Sequence, residues 1–193
     1  MDPIEPAEIG QLQELYGVIP RVSARLALTQ AGRSRWWPLP ANDRRAEAVL
    51  IIPRPGRRFV LITKPFYPAG IFRLPSGGVG LDEPVLMAAE REAREETGLA
   101  VRPERLLWLV DWTFTDGETD RAFASYLFLF PATDQPLETC DPDEQISCYR
   151  ECPLPMLLAV ANRLRHLPPD WRAWGEHRAL PHELAHRSLS LLE

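Results

Sequence analysis

The sequence predicts an α/β fold. Three observations carry that prediction. Apolar, β-branched runs at 46–53, 58–64, 106–114 and 122–130 read as strands, an amphipathic helix lies between the second and third of them, and helical spacing resumes after Pro153. With 193 residues, 45% of them hydrophobic and 25% charged, the chain has the size and composition of one globular domain with its own core.

Taken in order, residues 5–17 predict a short helix with Ile9, Leu12, Leu15 and Tyr16 on one side, and Val22–Leu28 alternates as a strand does. Residues 32–45 have the composition of a loop. Their Trp36–Trp37 pair would pack on the core or a partner subunit before it would bind a nucleobase, tryptophan being first a large apolar residue. A Pro-Gly-Arg turn separates strands 46–53 and 58–64. Residues 64–78 then offer Lys64, Phe66, Tyr67, Phe72 and Arg73 as a pocket wall of cations beside flat apolar surface; Tyr67 and Phe72 would serve equally well as core. Strands 106–114 and 122–130 have the lengths and the turn-rich link, 115–120, of a hairpin. Residues 141–152 start acidic and continue as a strand. Beyond Pro153, Leu157, Ala161 and Leu164 keep helical spacing, and 168–174 restarts a helix after a proline break. This tail would pack on the core or shape a contact in a homodimer.

The net charge of −5 and the pI near 5.5 argue against a nonspecific nucleic-acid binder, which needs a basic face. An anionic substrate would have to be met by local arginines and a metal. The opening MDPIEPAEIG has neither a basic stretch nor an apolar run, so no secretory signal is expected, and no run of about 18 apolar residues predicts a membrane span. Cys140, Cys148 and Cys152 are odd in number and lack paired C-x2-C spacing. They read as reduced thiols of a cytoplasmic protein and not as a zinc site.

The chemistry lies between Gly77 and Leu99, GGVGLDEPVLMAAEREAREETGL. Gly77, Gly78 and Gly80 read as a turn in which the backbone takes φ > 0 and approaches a ligand closely. A helix follows, with Asp82 or Glu83 as its cap, Pro84 in its first turn and Gly98 in the left-handed position past its end. Leu86, Ala89, Ala93 and Thr97 give it one small packing face. Glu92, Glu95 and Glu96, at i, i+3 and i+4, project from adjacent parts of the other, in the last turns where the helix dipole is negative. Arg91, four before Glu95, and Arg94, four after Glu90, offset part of the repulsion. A divalent cation would turn the arrangement favourable, and oxygen ligands suit Mg²⁺ or Mn²⁺ better than Zn²⁺.

This stretch resembles the Nudix box, G-x5-E-x7-R-E-U-x-E-E-x-G-U, with U aliphatic. Gly77, Glu83, Arg91, Glu92, Ala93, Glu95, Glu96, Gly98 and Leu99 fill every fixed place, Ala93 being smaller than the usual aliphatic. The resemblance covers about residues 46–152, so that 1–45 would be an N-terminal extension and 153–193 a helical tail of a single Nudix domain. It implies an α/β/α sandwich with a mixed sheet between helices. It also implies Mg²⁺-dependent hydrolysis, with Mn²⁺ as substitute, of the diphosphate linkage of a nucleoside diphosphate joined to another group.

Residue by residue, the resemblance implies that Glu92, Glu95 and Glu96, with the Gly77 carbonyl, hold metal. Glu144 would be the further acidic residue outside the box, with Asp141 and Asp143 as neighbouring alternatives, and the base would be Glu144 or one of the box glutamates. Arg91 would orient Glu95 and Glu83, since a bidentate fork fixes carboxylate geometry. Lys64, Arg73, Phe66 and Tyr67 would meet the substrate. The side motifs of coenzyme A and NADH pyrophosphatases are absent, and Thr115 stands where many ADP-ribose hydrolases carry a proline. ADP-ribose-like molecules, nucleotide sugars and nucleoside triphosphates all stay open. The resemblance also admits a nucleotide-sensing or protein-binding module, against which the intact box carboxylates speak.

One competing motif stands in the tail. His182-Glu183-Leu184-Ala185-His186 matches H-E-x-x-H, the zinc metalloprotease pattern. It has only Glu193 as a carboxylate downstream and no evident third ligand, so it reads as a chance match on a helix.

Overall fold

The computed structural model describes residues 3–28 and 44–191. Of the expected loop 32–45, residues 32–43 with the Trp36–Trp37 pair lie outside them, and Arg44 and Arg45 begin a strand instead.

A five-stranded mixed sheet runs through the centre, formed by β1 (Arg21–Ala27), β2 (Arg44–Ile51), β5 (Ser76–Gly80), β6 (Arg105–Thr115) and β7 (Asp120–Leu129) in the order β1-β6-β7-β2-β5. β6 and β7 form the expected antiparallel hairpin; β1 lies parallel to β6 and β2 parallel to β7, while β5 closes the other edge antiparallel to β2. A second, antiparallel sheet joins β3 (Pro53–Arg54), β4 (Arg58–Thr63) and β8 (Cys148–Pro153). The expected strands 46–53 and 58–64 thus feed different sheets, through β2 and β4, while β3 and β4 flank the Pro-Gly-Arg turn within the second.

Strand alternation sorts the core into two layers. Ala46, Ala48, Leu50, Ala124 and Tyr126 pack on α1 (Pro6–Tyr16) and α2 (Val85–Thr97). Val49, Ile51, Trp112, Phe123 and Leu127 face the other way, toward α3 (Met156–Arg165) and α4 (Pro169–Ser190). Helices on both faces of a mixed sheet make the α/β/α sandwich. α3 and α4 meet closely at Gly175, where a Cβ would stand 2.1 Å from the Leu164 carbonyl oxygen.

Several local expectations need correction. Leu15 is exposed, so α1 packs through Leu12, Ile9 and Tyr16 alone. Ser76–Gly80 is a strand, and none of its glycines has a positive φ. At Gly77 the lack of a side chain serves close packing, not a left-handed turn. Gly98 does end α2 at φ 74, with its N–H on the Arg94 carbonyl. The N-terminus differs: Pro84 is the N-cap, and neither Asp82 nor Glu83 caps the helix. The Val85 N–H is taken at 2.7 Å by Glu8 of α1, whose carboxylate is held in turn by the buried Arg45. Arg94 does not hold Glu90, which pairs instead with Arg102 at 3.3 Å.

The H-E-x-x-H segment lies within α4. His182 is buried, with Nε2 accepting the Leu74 N–H at 3.0 Å and Nδ1 on the Arg178 carbonyl at 2.7 Å; Glu183 is paired with Arg165. Both ring nitrogens are thus engaged, and the segment is structural. All three cysteines are free, and among the described residues no helix is long and apolar enough to cross a membrane.

Candidate active site

α2 lies against the sheet edge formed by β5, and this juxtaposition builds the site. Glu92, on the packed face of α2, is 4% exposed and directs its carboxylate at Gly77. A Cβ at Gly77 would fall 1.7 Å from Glu92 Cδ, so only glycine admits the side chain there. Glu95 stands one turn further on. Glu144 arrives from the short 3₁₀ turn Pro142–Glu144, where Asp141 caps by accepting the Asp143 N–H. The carboxylates of Glu92, Glu95 and Glu144 each present an oxygen within 4.8 Å of the others.

Arg91 fixes this group. Its Nε and Nη2 donate to the two oxygens of Glu83 at 2.8 and 3.0 Å, its Nη1 to Glu92 and Glu95 at 2.8 and 2.7 Å, and its Nη2 also to the Gly78 carbonyl. The hydrogen bonds from Arg91 hold the Glu83 carboxyl below the usual carboxylate range. Burial pushes Glu92 the other way, to about 7, against the pull of Arg91 and with the added repulsion of Glu96 and Glu144.

Glu96 stands apart from the cluster. It is fully buried, accepts the Ser76 N–H at 2.8 Å and lies 3.4 Å from both Arg73 and Lys64. Burial raises its carboxyl, and the two cations work against that. Lys64 also reaches Glu144 at 2.7 Å, linking the box to the 3₁₀ turn.

A cleft of about 540 Å³ opens over Glu92 and Glu144, while Glu95 and Glu96 are not among its lining. It collects Lys64, Arg73, Gly77, Arg91, Glu92 and Glu144 from the residues singled out in the sequence. Phe66 and Tyr67 are not among its lining. Phe66 is exposed beside Tyr67, which packs against Trp174 and Trp171 and steers Arg73 by accepting its Nε–H at 2.8 Å. Phe72 packs on the core beneath the Arg150 guanidinium.

The cleft also holds residues that the motif reading missed: Arg44 and Glu47 of β2, Phe123 of β7 and Arg178 of α4. Glu47 had a signal, a lone carboxylate inside the apolar run AEAVLII. The others had none, because they are brought in by tertiary packing.

The donors fit a hard divalent cation. Glu92 Oε2 is buried and has no hydrogen-bond partner among the described residues, a costly state for a carboxylate oxygen unless a cation meets it. Carboxylates and a backbone carbonyl are the ligands Mg²⁺ and Mn²⁺ take.

The NUDIX domain family model matches residues 43–174. The chain belongs to the Nudix family. It is accordingly a pyrophosphohydrolase of the kind that acts on nucleoside diphosphate derivatives. Among solved structures, the Nudix chain is similar to the MutT protein of Methanosarcina mazei Go1, at 20% identity over 70% of this chain and 92% of the other with a TM-score of 0.49. It is similar also to a MutT NUDIX hydrolase of Burkholderia pseudomallei, at 30% identity over 58% and 84% with a TM-score of 0.44. A third is the NUDIX domain of Shewanella oneidensis NrtR complexed with ADP ribose, at 16% identity over 84% and 99% with a TM-score of 0.49. No curated protein matches the chain.

Proposed function

We propose that the protein is a Mg²⁺- or Mn²⁺-dependent hydrolase that cleaves the diphosphate linkage of a nucleoside diphosphate joined to another group. The observation that carries this reading is the convergence of Glu92, Glu95 and Glu144 around a buried, unpartnered Glu92 oxygen beside a strand with no side chain at Gly77.

Glu92, Glu95 and Glu144 would hold the ion, with Glu96 and the Gly77 carbonyl completing the set. Once bound, a divalent ion supplies Lewis acidity toward phosphoryl oxygens and acidifies a water. The chain's own residues do the rest. Arg91 fixes the carboxylates in place before substrate arrives, so little reorganisation is needed at the moment of reaction. Lys64 and Arg73 line the cleft beside the carboxylates and suit phosphate oxygens.

In the reaction a water oxygen bonds to one phosphorus, the bridging P–O bond breaks, and the other phosphate leaves with the bridging oxygen. The water's proton passes to a cleft carboxylate. Glu144 and Glu92 both face the cleft, and either carboxylate is placed to accept it.

The test is product chromatography on a panel of ADP-ribose, nucleotide sugars, dinucleoside polyphosphates and nucleoside triphosphates, with Mg²⁺ and with Mn²⁺. Glu95→Gln serves as control, because Glu95 keeps 24% side-chain exposure and tolerates the change better than the buried Glu92 or Glu96. Hydrolysis of one class, lost in the variant and with chelator, supports the reading and names the substrate group. Nucleotide binding without turnover would instead make the protein a sensing module.

A further inference from the structure

We propose that Arg178, on the part of α4 beyond the stretch matched by the family model, is a substrate-binding residue that holds a phosphate oxygen of the diphosphate beside Gly77. The inference rests on the hydrolase reading above.

Arg178 Nη1 donates to Glu47 Oε2 and, at 2.7 Å, to Ser76 Oγ, the residue before Gly77. Arg73 Nη1 donates to the same hydroxyl oxygen at 3.1 Å. Two guanidinium groups thus converge on one neutral oxygen at the wall of the cleft, Arg178 paired with Glu47 and Arg73 with Glu96, and a phosphate oxygen placed between them would take charge-assisted hydrogen bonds from both. The Nε of Arg178 is buried and has no hydrogen-bond partner among the described residues, so part of the fork is unmet by protein.

The guanidinium is also held ready. Trp112 Nε1–H donates to Ser125 Oγ, and Ser125 donates to Glu47 Oε1 at 2.7 Å, leaving Oε2 for Arg178. His177 approaches the same carboxylate at 3.3 Å. Strands β2, β6 and β7 and helix α4 together aim one cation into the cleft. A mere tether for α4 would not require a charge, since apolar residues of similar volume replace buried ion pairs at little or no cost. The arrangement is that of a phosphate-binding fork fixed before its ligand arrives.

The test uses the full chain, with inorganic pyrophosphate as probe and Mn²⁺ present. Calorimetry gives pyrophosphate affinity, electron paramagnetic resonance gives Mn²⁺ affinity, and steady-state kinetics gives KM and kcat on the substrate found in the panel. Arg178→Gln is expected to weaken pyrophosphate and raise KM by about tenfold to a hundredfold, with Mn²⁺ affinity unchanged and with partial recovery in Arg178→Lys. If Arg178→Gln unfolds because Glu47 is stranded, the double variant Glu47→Gln/Arg178→Gln removes both charges and carries the same expectation. Pyrophosphate affinity and KM within about twofold of the unaltered chain in these variants overturns the inference, as does a failure of the unaltered chain to bind pyrophosphate. Neither result touches the hydrolase reading, which stands or falls on turnover by the unaltered chain and its loss in Glu95→Gln.

Discussion

Replacing Gly77 by alanine puts the heart of the site under test with a single methyl group. The new Cβ would lie 1.7 Å from both Cδ and Oε2 of Glu92 and 2.1 Å from Oε1, whereas ordinary contact begins near 3.4 Å. The carboxylate must therefore retreat by roughly 1.7 Å, the gap between those two distances. What moves is the end of a flexible side chain, and the backbone at Gly77 is not left-handed, so the fold yields cheaply. A cost of about 1 kcal/mol, the low end for overpacking, lowers Tm by about 2–4 °C in a chain of this size. Function should suffer far more. A displacement of about 1 Å at a reacting centre already costs on the order of a hundredfold in rate, so turnover falls by at least that factor and half-activity needs more Mg²⁺. Thermal unfolding beside a Mg²⁺ titration of turnover measures both. Undiminished turnover at an unchanged Mg²⁺ requirement would refute the placement of the Glu92 carboxylate at the metal.

Three further outcomes are expected. Glu8→Ala should cost about 3 kcal/mol in a urea titration, because it strands the buried Arg45 and uncaps the Val85 N–H; a loss under about 1 kcal/mol contradicts that account. Glu96→Gln keeps the volume and an acceptor for the Ser76 N–H, so circular dichroism should report an intact fold while turnover disappears; retained hydrolysis removes Glu96 from the metal ligands. Acid should destabilise the protein early. Burial holds His177 at about 3 and His182 at about 4, with Arg73 and Arg178 adding to it and Glu47 opposing it at His177. An unfolded histidine titrates near 6.5, so between roughly pH 6.5 and 4 the unfolded chain binds more protons, and stability falls as pH falls. Glu47, held at about 2 by Arg178, His177 and Ser125 despite its burial, adds its own loss only below about pH 4.5. Urea midpoints that stay flat from about pH 7.5 to 5 would contradict the buried, neutral histidines.

What the sequence disclosed and what it withheld divide along one physical line. The box was legible because its partners are local: Arg91 meets Glu95 across one helical turn and Glu83 just before the helix, and Gly98 ends the helix where a left-handed residue is needed. Glu144 was reachable because an acidic turn before a strand marks itself. The N-cap escaped notice because its acceptor is Glu8, on another helix, and nothing near Val85 announces it. Arg178 escaped for the same reason, its partners being Glu47 and Ser76 on β2 and β5. Tyr67 and Phe66 misled because an aromatic residue at a strand end reads alike as ligand wall or as packing. Only the α4 tryptophans, Trp171 and Trp174, settle Tyr67 as packing. The three glycines of β5 were read as a turn, whereas they lie in a strand and Gly77 lets Glu92 come close, a demand invisible without the helix in place.

The reach of α4 across the sheet has a consequence for the chain while it is being made. Translation delivers the carboxylates of α2 and then Glu144 well before Arg178, and domains fold as their parts become available. A nascent or truncated chain lacking α4 could bring together Glu92, Glu95 and Glu144 and yet have no second guanidinium beside Ser76. Such a chain would take up metal but grip a diphosphate poorly. Competence toward nucleotides would then be conferred late, by the helix that also covers the core, so that hydrolysis is reserved for molecules whose folding is finished.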